Sequence, residues 1–440
     1  MHIKPVLAAP LLALLFSGGL FPQVTGRAVE PRLPAGIAPS PLVQEMIDQV
    51  DIDSLSQLAA ELTGEQPITI GGEPYTILTR NSFSGEPVRK AAQYLYEYYQ
   101  GLGLEVAYHD FDLFGTPQVN VAAEKLGSLA PERVYLITSH YDDAPGGPRA
   151  PGADDNASGT VAVMLAAKIL PQYDFGCSLR FINFSGEEQG LVGSDQYAKQ
   201  AFCAREDLRA VLNLDMIAWN TADSPAQMDL HAQPGVPGSL EIARLFMDVT
   251  DAYELNLTPE LVSPGVGASD HASFWTYDFP AILAIEDLKD FNPNYHTLDD
   301  DLNNLGDLTY YTEMVKASLA TLAHLGCLVE DGWGTVAGRV TEAHTGAPLA
   351  GAWVTVEEPA QGLTRYATTA QDGNYNLEVP AGSLLLSADA NGYSASPEVE
   401  ITISQGQTTV KDVLLMPVAE SLNYIPLISR QTNLYPSDCP

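Results

Sequence analysis

Basic residues are scarce in this 440-residue chain: 21 Lys and Arg stand against 56 Asp and Glu, a formal net charge of −35. So negative a surface excludes nucleic acid and an anionic membrane as partners, because both repel it. Cysteine is scarce too. The four present (Cys177, Cys203, Cys327 and Cys439) include no Cys-x-x-Cys pair, which excludes a zinc knuckle or a dithiol redox motif. There is no His-Glu-x-x-His run, so the helical ligand pair of the zincins is missing. Beyond the N-terminus no apolar run reaches the roughly 20 residues that cross a bilayer. Charged residues as a whole make up 18%, on the low side for a soluble domain.

The hydrophobic fraction, 45%, is ordinary, and the length allows two or three domains with a large core. His2 and Lys4 precede an apolar run from Val6 to Phe21, broken by Pro10 and Gly18-Gly19. It is short for a spanning helix and reads as an export signal over 1–28, cleaved near Gly26 to Ala28. The first cysteine is Cys177, so none follows the signal to carry a lipid. The expected location is secreted or extracytoplasmic, which also allows retention at the cell envelope. Export permits disulfides, and four cysteines allow three pairings. Cys177 with Cys203 would close a local loop.

Residues 29–41 are rich in Pro, Ala and Gly and read as a linker. Apolar residues then recur at helical spacing from Leu42 to Glu61. Ser84 opens a second helix, with Pro87 in its first turn, that runs to Tyr99 and stops at Gly101-Leu102-Gly103. Short buried strands follow at Val119–Ala123, Arg133–Thr138, Leu179–Phe184, Val211–Leu214 and Ala281–Ile285. Helices are expected at Gly159–Leu170, Gln189–Gln200, Leu240–Thr250 and Leu308–Leu325. This alternation predicts an α/β domain over 42–332, with a mostly parallel central sheet flanked by helices. After Gly332 the composition shifts to short Val, Thr, Leu and Tyr runs separated by turns such as Asp372-Gly373 and Asn391-Gly392. About seven such runs predict a small all-β sandwich over 333–416. A tail, 417–440, has an apolar middle at Tyr424–Ile428.

Ligands of an open α/β sheet collect at the carboxyl ends of its strands. Those ends present His140, the loop Gly152-Ala153-Asp154-Asp155-Asn156, Glu187-Glu188, Asp215, and His296 farther on. Two imidazoles and several carboxylates at one edge are the donor set of a two-metal hydrolytic site. Such ligands hold zinc at about 2.0–2.2 Å, and two metals about 3.5–4 Å apart need a bridging carboxylate. Most other acids, including Asp51, Asp53, Asp299, Asp300 and Asp301, read as solvated surface groups. His109, His231, His324 and His344 read as structural or surface histidines. Asn156 and Asn183 match the glycosylation sequon but fall in the expected site and core.

Taken in order, Ser139-His140-Tyr141-Asp142, Gly152 to Gly159, Ser185-Gly186-Glu187-Glu188-Gln189-Gly190, Asn213-Leu214-Asp215-Met216, Ser269-Asp270-His271 and Tyr295-His296-Thr297 resemble the bacterial leucyl aminopeptidase family. These are secreted dizinc exopeptidases of the clan shared with zinc carboxypeptidases. The likeness spans Leu42 to Leu328. It implies the zinc exopeptidase fold, two Zn²⁺ ions and peptide substrates. It also implies that Asp154 bridges the metals, with His140 and Asp215 completing one set and Glu188 and His296 the other. Glu187 would be the general base, moving a proton from the shared water to the leaving amine. Asp155 would follow Asp154 through a cis-type peptide that aims the bridge. Asp142 would accept the other N–H of His140, and Asp270 would support the site; His271 beside it is not read as a ligand. The segments Gly338-Arg339-Val340, Thr345 to Ala352 and Asp372-Gly373-Asn374-Tyr375 resemble a carboxypeptidase regulatory-like domain, which implies an accessory module.

The expected function is therefore a secreted, monomeric metallo-aminopeptidase that removes N-terminal residues. Its competitors are a carboxypeptidase of the same clan, a glutaminyl cyclase-like transferase and a non-catalytic binding protein. A carboxypeptidase needs a cation, usually Arg, for the terminal carboxylate, and only Arg149 lies near these motifs in sequence. The cyclase uses one metal. An intact Glu187 argues against a purely binding role.

Overall fold

Two helices, α1 (Pro41–Ile47) and α2 (Ile52–Leu62), replace the single helical stretch expected from Leu42 to Glu61. Between them Asp51 is extended and accepts the Ser54 N–H at 2.8 Å, so a new N-cap restarts the helix. The computed structural model describes residues 37–221, 224–306, 308–418 and 439. The expected signal, most of the linker and the apolar middle of the tail lie outside them.

A short hairpin, β1 (Ile68–Ile70) with β2 (Glu73–Tyr75), leads to α3 (Glu86–Gly101). The main sheet then forms from β3 (Glu105–Leu113), β4 (Thr116–Lys125), β5 (Ala130–His140), β6 (Cys177–Phe184), β7 (Asp207–Leu214), β8 (Gln227–Ala232), β9 (Thr258–Val262) and β10 (Ala281–Glu286). Its order is β3-β4-β6-β5-β7-β10-β8-β9. The centre, β6-β5-β7-β10, is parallel. Antiparallel pairings of β4 with β6 and of β8 with β10 flank it. The sheet is thus mixed, with the parallel character confined mainly to the strands that the sequence marks as apolar.

Helix α4 (Gly159–Ile169) explains how tightly this core is built. Every residue of it except Lys168 is buried. An apolar circumference of this kind belongs to a helix covered on all sides, and α4 packs on β5 and β6 as well as on α2, α3 and α8 (Leu308–Leu325). The opposite sheet face is covered by α5 (Val192–Ala204), through Tyr197 and Ala198, and by Phe274 of α7 (His271–Thr276), with α6 (Ser239–Ala252) on the first face. Gly159 stands where α4 meets the end of β7. A Cβ there would lie 2.5 Å from the Leu214 carbonyl oxygen, so glycine lets the helix start against the strand.

From Trp333 onward the chain forms two sheets of five and four strands. They enclose a separate core that includes Val336, Val354, Val379, Leu386 and Leu415. Leu363 of this sandwich packs on Ala130, Cys177 and Cys327, and Arg133 donates to the Gln361 carbonyl at 3.3 Å. The disulfides correct the expected pairing. Cys177 bonds to Cys327 and Cys203 to Cys439. Cys177 begins β6 and Cys203 lies near the end of α5, so the local loop between them is left open.

Candidate metal centre

His140 ends β5, Glu187 and Glu188 follow β6, and Asp215 follows β7. These three strands are parallel neighbours, so their carboxyl ends carry the side chains to one edge. The Asp154-Asp155 loop enters α4 beside them, and His296 arrives on the loop after β10. Two triads result, His140 with Glu187 and Asp215, and Asp155 with Glu188 and His296. Within each, the donor atoms lie within 4.8 Å of one another.

Asp155, rather than Asp154, stands between the triads. Its Oδ1 is 3.3 Å from His140 Nε2 and its Oδ2 is 3.1 Å from His296 Nε2. Asp154 turns away. Its oxygens accept from the Ala218 N–H and the Asn292 side chain, both at 2.9 Å, and it faces Glu286. The cis peptide likewise joins Asp155 to Asn156, not Asp154 to Asp155. Adjacent residues in an irregular loop point in different directions, so the place between the two histidines falls to Asp155, one residue past the expected Asp154. Asn156 fixes the loop by donating to the Leu214 carbonyl and accepting from the Gly159 N–H.

Asp300 corrects the sequence reading more sharply. It is buried, not solvated, and its two oxygens accept the N–H groups of Asp154 and Asp155 at 2.9 and 3.0 Å. Arg80 is a second residue the sequence reading missed. Fully buried, it donates to the carbonyls of Leu62, Tyr141, Pro151 and Gly152 at 2.7–2.8 Å, with Asp143 3.7 Å away. It fastens the loop after β5 to the chain entering Asp154. No local pattern announces either residue, because both act on backbone groups distant in sequence.

Asp142 also plays a different part from the one expected. His140 Nδ1 meets the Asp142 backbone carbonyl at 3.1 Å, and the carboxylate stands 3.6 Å away. That carboxylate accepts from Ser82 at 2.9 Å and from the Glu187 N–H at 3.3 Å. It therefore positions the backbone of Glu187 more directly than it orients the imidazole. Asp270 is buried beside the centre, with Ser194 near its carboxyl. Burial raises it to about 7, with His140 opposing.

Charge in this edge is strongly coupled. Burial opposes ionisation of Asp155, but hydrogen bonds from His140 and His296 outweigh it and hold the group at about 2. Burial also works against a charged His140, yet the carboxylates of Asp215 and Glu187 raise it well above its ordinary value. His296 is pushed up to about 10 by Asp155 and Glu188, against burial. Burial drives Glu187 well above the carboxylate range and Glu188 to about 7, each with a histidine opposing. A cation placed among these carboxylates would offset their mutual repulsion. Glu188 has an oxygen free for one: its Oε2 is 2.8 Å from His296, while its Oε1 is buried with no partner among the described residues. The donor set, two imidazoles with four carboxylates, has the nitrogen and oxygen chemistry that zinc takes.

Residues 120–321 match the family described as peptidase family M28, and residues 335–416 match the carboxypeptidase regulatory-like domain. Over residues 120–321, just under half of its length, the chain is similar to peptidase family M28. Among curated relatives, a probable leucine aminopeptidase of Trichophyton verrucosum is 30% identical over 219 residues, covering 47% of this chain and 56% of its own. The probable aminopeptidase YDR415C of Saccharomyces cerevisiae is 29% identical, with 49% and 59% covered. The chain thus spans a little over half the length of these two relatives. Among solved structures, the Legionella pneumophila LapA aminopeptidase shares the fold with a TM-score of 0.56, at 21% identity and with 67% and 78% of the two chains covered. A glutaminyl cyclase of Bacteroides thetaiotaomicron shares it as well, at 0.51 and 18% identity, with 62% and 98% covered.

Proposed function

We propose that this chain is a secreted aminopeptidase of the M28 type that uses two zinc ions. One observation carries the reading: each oxygen of Asp155 faces the histidine of a different triad. One carboxylate shared between two donor sets suits a pair of metals, and the single metal of a cyclase leaves one set without a purpose. His140 and Asp215 would hold one ion, Glu188 and His296 the other, and Asp155 both. Bound there, the ions supply Lewis acidity toward the scissile carbonyl and lower the pKa of a water toward neutrality.

The chain's own residues do the rest. Glu187 lines the cavity that opens on the centre, whereas Glu188 does not, so Glu187 is the carboxylate free to move a proton. It takes one from the attacking water and delivers it to the nitrogen of the leaving amine. A carboxyl whose pKa is raised by burial is suited to that exchange. The lining supports the amino end of a peptide. A terminal carboxylate is usually held by Arg, and no Arg or Lys stands among the described residues that line this cavity. Apart from the carboxylates, His231 and Tyr295, its walls are apolar, including Met216, Leu283 and Ile285, which suits an apolar first residue.

The test assays purified protein on aminoacyl and carboxy-terminal reporter peptides, before and after chelation and on zinc return. Release from the amino end, lost on chelation and restored by zinc, is expected. Release from the carboxyl end alone, or cyclisation of N-terminal glutamine without hydrolysis, refutes the proposal. Glu187→Gln should keep two equivalents of zinc by metal analysis and lose at least a hundredfold in kcat, the lower range for a general base.

A further inference from the structure

The two histidines of the centre are braced in different ways. His140 ends β5, is 1% exposed, and meets the Asp142 carbonyl through Nδ1 at 3.1 Å. A histidine that binds metal through one ring nitrogen almost always donates from the other, which fixes the ring and its tautomer. His296 lacks that second bond. Its Nε2 faces Asp155 and Glu188 at 3.1 and 2.8 Å, and its Nδ1 meets no acceptor among the described residues. The side chain is 38% exposed. It stands on an irregular loop at a φ of 56°, where no strand pairing sets its direction. Water at an exposed Nδ1 satisfies that nitrogen without fixing the ring.

What His296 has instead is a second ring against its face. The Tyr295 ring stacks on the imidazole, with centroids 3.7 Å apart and planes 20° from parallel. Phe291 in turn meets the Tyr295 ring edge to face, at 5.0 Å and 69°. The Tyr295 N–H donates to the Asn292 carbonyl at 3.2 Å. Asn292 is buried, and it donates its own N–H to Glu286 at 2.8 Å and its side chain to Asp154 at 2.9 Å. The support therefore runs from the buried carboxylates beside the centre, through Asn292, to the two aromatic rings, and ends on the imidazole.

Resting on the two-zinc reading above, we propose that Tyr295 is a positioning residue whose ring, not its hydroxyl, aims His296 and so sets the affinity of the one zinc that His296 would share with Glu188 and Asp155. The stack takes the place of the missing hydrogen bond, because a ring held over the imidazole face restricts its rotation. It also responds to the ion. Coordination puts part of a cation's charge on the imidazole, and the face of a tyrosine ring attracts positive charge, so the stack strengthens as the metal binds. Stacked rings are worth roughly two- to tenfold in an equilibrium beyond the area they bury. The other site needs no such help, since His140 is buried and its Nδ1 is already paired.

The test counts zinc on the full chain by metal analysis after dialysis against chelator-buffered zinc, with no substrate present. The natural protein should bind two ions. Tyr295→Leu should raise the free zinc needed to fill one site by roughly two- to tenfold and leave the other site unmoved. Tyr295→Phe, which keeps the ring, should match the natural protein. In a His296→Ala background Tyr295→Leu should change nothing further, because the ring acts only through the imidazole. Unchanged zinc binding in Tyr295→Leu overturns the proposal. So does an equal loss at both sites, the mark of general damage to the loop. A loss in Tyr295→Phe as large as in Tyr295→Leu assigns the effect to the hydroxyl and overturns it too. If the natural protein binds a single zinc, the two-zinc reading fails, and the same pair of variants decides on that ion: weaker binding in Tyr295→Leu alone supports the role of the ring, and equal binding refutes it. A protein that binds no zinc refutes both.

Discussion

At the scale of single residues, the Asp154-Asp155 pair separates two functions that look alike in sequence. Asp155 faces both histidines, whereas Asp154 is spent on the Ala218 N–H and the Asn292 side chain. Asp155→Asn should therefore lose both metals together and all measurable turnover, read by metal analysis and a reporter assay. Asp154→Asn keeps an acceptor for Ala218 and should bind two metals, its cost appearing as lower thermal stability. If Asp154→Asn loses both metals and Asp155→Asn does not, the bridge has been placed on the wrong residue. The residue types of the centre were legible because all but His296 end or follow an apolar strand or lie in a glycine-flanked loop. The orientation within the pair was not, since an irregular loop has no periodicity to say which carboxylate faces inward.

His271 provides a titration at the same scale. It is fully buried, its Nε2 meets the Val266 carbonyl at 2.9 Å, and burial lowers it to about 3. The unfolded chain protonates this histidine near 6.5, so below that pH the unfolded state binds a proton that the folded state refuses. Its contribution to stability is whole above 6.5 and shrinks as pH falls toward 3, by about 2 kcal/mol at pH 5. His271→Gln retains a donor for Val266 and removes the titration. Denaturant unfolding from pH 7 to 5 should show a steeper loss for the natural protein than for the variant; parallel curves would exclude this assignment.

At the scale of elements, the strands that position the centre were those the sequence showed best. β5, β6 and β7 are apolar on both faces because helices cover both. The missed strands carry polar residues for identifiable reasons. β3 is an edge strand with exposed and half-exposed positions at Tyr108, His109 and Asp110. β8 buries Asp229 and His231 on one face, which breaks the apolar run expected of a covered strand. Loops are placed by buried polar staples, with Arg80 the chief one. Arg80→Met removes donors from four backbone carbonyls and leaves Asp143 buried without its cation. Asp143 is already raised to about 7 by burial despite Arg80. Breaking a buried pair in this way costs about 3–5 kcal/mol, measurable as a lower denaturant midpoint. Arg80→Met with Asp143→Asn should recover part of that loss. A single variant as stable as the natural protein would show that the staple is dispensable.

At the scale of the whole molecule, the compositional shift after Gly332 falls where the first sandwich strand, Trp333–Glu342, begins. What composition could not convey is how the two cores are joined. Leu363 packs against Cys177 and Cys327, and the second disulfide returns Cys439 to α5. The sandwich thus meets the opening of β6 and the far end of α8, while the candidate centre occupies the carboxyl ends of β5, β6 and β7. Because β6 carries the contact at its start and Glu187-Glu188 after its end, the sandwich lies a full strand length from the chemistry. Removing residues after Gly332, with Cys203→Ser to replace the lost disulfide partner, should leave kcat/KM on a small aminoacyl reporter within about threefold, equivalent to less than 1 kcal/mol. The uncovered apolar contact should lower stability, since burying a leucine side chain is worth about 1.5–3 kcal/mol. A truncated protein that folds, binds two metals and has no turnover would show that the sandwich reaches the reaction through the sheet. One that keeps turnover on small reporters but loses it on long peptides would place the sandwich in substrate capture.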